Sequence, residues 1–393
     1  MESLPSSPEV DALNLTSRWR MLNVGWRTGI PEATARRLFQ EGRDLARRLN
    51  DVPSEVGMLL FFGITRMMAG RIEEALAIYA EARDLATASE DPALMLETLG
   101  PPIHAYISSG RLREALGDAE RAIEALRGSP QAGREFFQLT PSLYLRCCRG
   151  EILLLQGHDA AGTRELKSVA RDARTTEDYE ILGWSLGSLA RTAALAGDVD
   201  TAMARMVECV ELAEKAGAMS SRVRAAVNMA LVHLARGAYA DAESAVAAIL
   251  PMARERRIGL DHEPFLLACQ AEAMSKNGRS EEAVVVAKEA VARARDYGTR
   301  LWEIPARLSL AGALRSEDEQ QKDTIAGELS EAERLIGAVA DDVGGVLAAG
   351  RLERREGAVR RDAQQPRQLG HDRPVGHLVE HLVDDADGLL DLV

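Results

Sequence analysis

The sequence predicts an all-α fold, a right-handed superhelical solenoid of about seven helical hairpins repeating every ~40 residues. Three observations predict it. The chain is 46% hydrophobic but only 4% aromatic, and its apolar residues are mostly Ala and Leu, which favour helix. Phe39 to Ala46 reads "FQEGRDLA" and is echoed forty residues on by "YAEARDLA" at Tyr79 to Ala86. Finally, Gly70, Gly110, Gly157, Gly197, Gly237 and Gly278 stand at intervals of 40, 47, 40, 40 and 41. Each separates two apolar helical stretches, where a left-handed glycine can reverse the chain.

Fixed offsets test the repeat hairpin by hairpin. Five, nine and twelve residues after each glycine lie Ala75, Tyr79, Ala82; Ala115, Ala119, Ala122; Gly162, Leu166, Val169; Ala202, Met206, Cys209; Ala242, Val246, Ile249; and Ala283, Ala287, Ala290. An earlier unit referenced to Ile30 adds Ala35, Phe39 and Gly42. All are apolar or glycine, and the spacing places them on one face of each second helix. Seven residues before each reference come Asn23, Gly63, Ile103, Gly150, Ala190, Ala230 and Ala271, mostly small, which predicts close approach of the paired helices. Asp91-Pro92 and Thr140-Pro141 read as capped helix starts. Gly217, Gly259 and Gly298 read as second-helix ends. The repeat breaks at Pro101-Pro102, which should interrupt a first helix, in the longer connection Gly128 to Phe137, and at the charged turn Arg315 to Asp323.

This divides the chain into a disordered start at 1–12, repeats over 13–339 and an irregular tail at 340–393. The tail lacks the glycine–alanine spacing and reads as a foreign reading frame or a degenerate end. It carries His371, His377 and His381 beside Glu380, a metal-like spacing that incidental histidines explain better.

Several function classes are excluded. A net charge of −13 and a pI near 5.2 oppose a nucleic-acid surface. There is no Gly-Lys pair and hence no phosphate loop, and no G-x-S-x-G, H-E-x-x-H or G-x-G-x-x-G. Cys147, Cys148, Cys209 and Cys269 read as buried packing thiols of a reducing compartment, with no histidine adjacent in sequence. No stretch approaches the ~20 apolar residues of a membrane span. A cytoplasmic protein without catalytic residues, cofactor or metal is expected.

Function is then expected on the concave side, at positions thirteen and six before each glycine. The outer set is Tyr144, Trp184, Arg224 and Phe265; the inner set is His104, Glu151, Arg191 and Glu272. Aromatic and Arg groups anchor binding surfaces. The competing explanation is that the aromatics wedge between neighbouring helices and the charges pair locally.

The offsets G-x4-A-x3-(large)-x2-A, met by Gly70, Ala75, Tyr79 and Ala82, resemble the tetratricopeptide repeat with a longer period. Three stretches, Leu22 to Asp51, Pro251 to Met274 and Ala290 to Arg315, resemble the C-terminal repeat region of bacterial proteins in which a class III adenylate/guanylate cyclase precedes an AAA-type (STAND-like) ATPase. The resemblance spans roughly 13–340 and implies a detached, truncated sensor arm. The upstream cyclase and ATPase motifs have no counterpart here. Two readings follow. One is a non-catalytic scaffold that binds a protein or peptide partner, including a cyclase or ATPase module in trans. The other is a repeat domain that senses a small ligand.

Overall fold

The computed structural model describes residues 7–128, 139–317 and 321–342. Among them there are helices and no strand. The first hairpin pairs α1 (Pro8–Thr28) with α2 (Glu32–Leu49). The second pairs α3 (Val52–Met68) with α4 (Ile72–Ala88). The third has a broken first helix, α5 (Pro92–Glu97) and α6 (Ile103–Ser108), packed on α7 (Leu112–Ala125). Then follow α8 (Pro141–Leu155) with α9 (Asp159–Thr175), α10 (Tyr179–Leu195) with α11 (Val199–Ala216), and α12 (Met219–Ala235) with α13 (Tyr239–Arg256). A 3₁₀ turn (Leu260–His262) leads into α14 (Glu263–Lys276) with α15 (Ser280–Tyr297), and α16 (Arg300–Glu317) pairs with α17 (Lys322–Asp342). That makes eight hairpins, one beyond the seven registers, because the last pair has no turn glycine.

The six turn glycines all have positive φ. In each turn the residue after the glycine donates its N–H to the carbonyl five residues back, at 2.8 to 3.0 Å. That bond satisfies a carbonyl orphaned at the helix end. The offset residues are buried at every register, with Phe39 alone only partly so. Gly63 faces the Tyr79 ring and Gly150 faces Leu166, so a Cβ at either glycine would collide with the partner helix.

Three local expectations change. The helix starts at Pro8, capped by Ser7, five residues before the expected boundary. Thr140 does not cap α8. Its hydroxyl is buried without a partner, and its N–H instead donates to Asp178 at 2.8 Å. Arg257, not Gly259, is the left-handed residue closing α13. Asp91 does cap α5, through the N–H groups of Ala93 and Leu94. The connection at 129–138 and the tail from 343 lie outside the described residues.

The stack closes on itself. Arg256 donates to the Thr28 carbonyl at 3.3 Å, 228 residues away. Arg257 pairs with Glu32 at 3.6 Å, and Arg71 with Asp296 at 3.5 Å. Gly70 lies against the Tyr297 ring and Gly110 against Val339. The partners in each case stand 225 to 229 positions apart. Hairpins 1, 2 and 3 thus meet hairpins 6, 7 and 8, and the superhelix completes a turn in between five and six repeats.

Candidate functional site

First helices line the superhelix axis. On each, positions thirteen, nine and six before the turn glycine fall at i, i+4 and i+7, so they form one stripe. The stripe carries Tyr144, Cys148 and Glu151 on α8, Trp184, Ser188 and Arg191 on α10, and Arg224 and Asn228 on α12. His104 on α6 completes the cluster. Its ring stands 5.7 Å from Tyr144 and 6.2 Å from Trp184, and those two meet edge-on at 6.2 Å. Trp184 Nε1 donates to Ser221 Oγ at 3.1 Å. The Arg224 guanidinium stands 5.2 Å from the Trp184 ring and pairs with Glu151, which also accepts from Ser188 Oγ.

This cluster sets unusual protonation states. Burial alone would push the Glu151 carboxyl up, but Arg224 and then Arg191 override it and hold it down at about 2. Burial lowers His104 to about 4, and Arg224 adds to the effect, so the imidazole is neutral at neutral pH. Arg191 is lowered by burial, and the favourable charge it feels is that of Glu151.

Two spaces open at the axis. One is an apolar cavity of about 190 Å³, walled by Trp26, Met67, Leu96, Leu126, Tyr144 and Trp184 among others. The proline break between α5 and α6 supplies part of this wall, through Leu96, Glu97, Gly100 and Pro101. The other is a polar pocket of about 30 Å³ among Glu151, Arg191, Arg224, Asn228, His262 and Trp302. His104 borders both.

Six of the eight concave residues therefore converge: His104, Tyr144, Glu151, Trp184, Arg191 and Arg224. Two do not. Phe265 packs in the core against Trp302, with ring centroids 5.1 Å apart. Glu272 is exposed on α14. Asn228, His262 and Trp302 were not foreseen. The signal for Asn228 was present, since position nine before the glycine lies on the same stripe. Trp302 sits in the hairpin without a turn glycine, and His262 in the 3₁₀ turn, so neither falls in the register.

The thiols gain a neighbour that the sequence did not show, since Cys148 Sγ lies 3.7 Å from His104 Nε2. This is not a nucleophile and base. Burial pushes the Cys148 thiol well up and the imidazole down, the reverse of a thiolate–imidazolium pair. Burial likewise pushes Cys147 up to about 12. Among the described residues no group of three or more His, Cys, Asp or Glu is placed to hold a metal ion, and no helix is long and apolar enough to cross a membrane. The tail histidines lie outside the described residues.

No protein-family model matches the chain, and no curated protein matches it. Among solved structures it is similar to a Rap protein complexed with Competence and Sporulation Factor. The TM-score is 0.59 at 12% identity, covering 98% of this chain and 100% of that one. It is also similar to a Signal Transduction ATPase with Numerous Domains (STAND) protein with a tetratricopeptide repeat sensor, from Pyrococcus horikoshii. There the TM-score is 0.42 at 12% identity, over 86% of this chain and 54% of that one. A tetratricopeptide repeat protein from Parabacteroides merdae gives a TM-score of 0.28 at 14% identity, over 84% and 98%. At such identities the likeness speaks to fold, and the fold is a tetratricopeptide-like all-α helical repeat.

Proposed function

We propose that this protein is a non-catalytic ligand sensor whose closed superhelix takes a small molecule or short chain into its axial chamber. The observation that carries this reading is the closure itself. Residues expected along the concave side gather around one axial space, walled by aromatics and charges. The apolar cavity holds roughly a dozen waters' volume. That suits a small molecule or one or two apolar side chains better than a helix or folded partner. A similarly folded Rap protein in complex with Competence and Sporulation Factor supports the idea of a ligand-responsive superhelix. The resemblance of three stretches to cyclase–ATPase proteins supports a signalling output through such a module in trans.

The scaffold reading keeps one foothold, since Leu13, Met21 and Val24 expose an apolar face of α1 outside the chamber. The chamber is tested with 8-anilinonaphthalene-1-sulfonate, whose fluorescence reports entry into an apolar site. One saturable site per chain is expected, lost on Ala93→Trp, a change at an exposed rim position that plugs the cavity. Unsaturable binding, or binding indifferent to that plug, overturns the proposal. Purified protein supplied with ATP or GTP should form no cyclic nucleotide above a buffer blank.

A further inference from the structure

The outer face of hairpins 4 and 5 carries a cationic groove that the chamber does not use. On α9, Arg164, Lys167, Arg171 and Arg174 fall at i, i+3, i+7 and i+10, one stripe along about 15 Å of helix. All four are exposed. The carboxylates of the same helix, Glu165 and Asp172, turn to its other side, where Arg146 of α8 binds both at 2.8 Å. Arg205 of α11 stands on the opposite bank, its Nη1 donating to the Leu189 carbonyl at 2.9 Å. The groove between the two helices measures about 390 Å³, with Lys167, Arg171, Arg174 and Arg205 around a floor of Ala170, Leu186 and Leu189. Among the described residues no carboxylate lines it. Glu208, just outside, offsets Arg174. Lys167, Arg171 and Arg205 make no ion pair among the described residues, and the exposed Asp198 feels the Arg205 charge only from outside ion-pair distance.

The repeat register sets this hairpin apart. Seven, ten, fourteen and seventeen residues after the turn glycine, α4 has Ala77, Ala80, Asp84 and Thr87, and α11 has Ala204, Val207, Glu211 and Glu214. At each of those positions α9 has a cation. The packed face of the repeat lies elsewhere, at five, nine and twelve, so packing does not ask for these side chains. Like charges around one groove repel one another, and an anion seated among them removes that repulsion. Free phosphate would leave the apolar floor uncovered. A nucleic acid would overrun the groove onto the surface of a chain with a net charge of −13. Carboxylates carried with apolar side chains match both rim and floor, and Arg presents its donors as a fork suited to carboxylate. We propose that the groove between α9 and α11 docks a short acidic segment of a partner protein, its carboxylates on Lys167, Arg171 and Arg205 and its apolar side chains toward Leu186 and Leu189. The groove lies outside the superhelix, so the proposal does not rest on the chamber reading. It would give the sensor an output surface.

The test uses the full chain and a fluorescein-labelled peptide of about ten residues, alternating Asp-Asp with Leu-Leu, which as a helix spans the stripe. The same peptide with Asn for Asp is the control, and anisotropy is the readout. The acidic peptide should bind tighter by roughly tenfold or more, and its affinity should fall as salt rises from roughly 0.05 to 0.5 M. Lys167→Glu combined with Arg171→Glu should abolish the preference; both side chains are exposed, so the melting temperature should hold. Lys288, exposed at the same register position on α15, supplies the matched control. Lys288→Glu changes the net charge as Lys167→Glu does and should leave binding unchanged. No binding of the acidic peptide, equal binding of the two peptides, or equal losses in Lys167→Glu and Lys288→Glu refutes the inference. Inorganic phosphate or a single-stranded oligonucleotide that displaces the label at lower concentration than unlabelled peptide assigns the groove to that anion and overturns the peptide. Binding that appears only once residues 380–393 are removed assigns it to that acidic end of the chain itself, and also overturns the partner. Fluorophore binding in the chamber should survive in Lys167→Glu, which keeps the two readings separable.

Discussion

Closure of the superhelix can be isolated by comparing two glycines. Gly70 and Gly237 occupy the same place in the repeat with the same φ of +73°. A Cβ at Gly237 meets nothing within 4 Å, whereas at Gly70 it would stand 2.9 Å from ring carbons of Tyr297, across the seam. Replacing either by alanine forces a side chain into the left-handed region, at roughly 1–2 kcal/mol. Only Gly70→Ala also overpacks the seam. Tyr297 has little freedom to yield, because it is buried and its hydroxyl donates to the buried Glu263 carboxylate at 2.8 Å. Moving the ring breaks that bond, and leaving it in place strains the contact, so about 1–3 kcal/mol is added either way. Urea denaturation of the two variants should therefore differ by that increment. Small-angle scattering should show Gly70→Ala expanded and Gly237→Ala unchanged. Adding Tyr297→Ser should bring the cost of Gly70→Ala down to that of Gly237→Ala, a coupling that a double-mutant cycle measures. If the two glycine variants match within about 0.5 kcal/mol and the cycle shows no coupling, the seam is not formed in solution and the enclosed chamber goes with it.

Other outcomes follow from the same geometry. His104 has a folded pKa of about 4 against an ordinary 6.5, so below pH 6.5 the unfolded chain takes up a proton that the folded chain refuses. Its contribution should be lost as pH falls from 6.5 to 4, by at most about 3 kcal/mol, and His104→Gln should flatten that part of the stability profile. Glu151→Ala strands Arg224 beside Arg191 and should cost about 3–5 kcal/mol in urea titrations; a change under 1 kcal/mol would mean the pair is solvated. Trp184→Ala should cost about 3–5 kcal/mol through the cavity it leaves and should abolish the fluorophore site. The four buried thiols should react with an aromatic disulfide reagent only as fast as the chain opens, and prompt reaction in native buffer would contradict their burial.

Most of the fold was legible because its rules are local. Contacts between the two helices of a hairpin recur at fixed offsets, so Ala75, Tyr79 and Ala82 announce their buried face, and Gly70 its turn, with no knowledge of the rest. The axial stripe was legible for the same reason, and six of the eight residues read from it converge on the chamber. Local reading failed where the period failed. Trp302 precedes no turn glycine, His262 lies in a 3₁₀ turn, and Thr140 makes no cap, its N–H being taken by Asp178, which arrives from the next hairpin.

By itself, then, the sequence determined the hairpin, its period and the side of each first helix that faces the axis. Only the tertiary structure decided that the axis is enclosed. A small rotation per repeat accumulates over five to six units before Arg256 meets Thr28 and Tyr297 meets Gly70. No pattern within one repeat encodes that sum. The same arginines and aromatics would line an open groove, and closure is what gathers His104, Tyr144, Glu151, Trp184, Arg191 and Arg224 around one axial space.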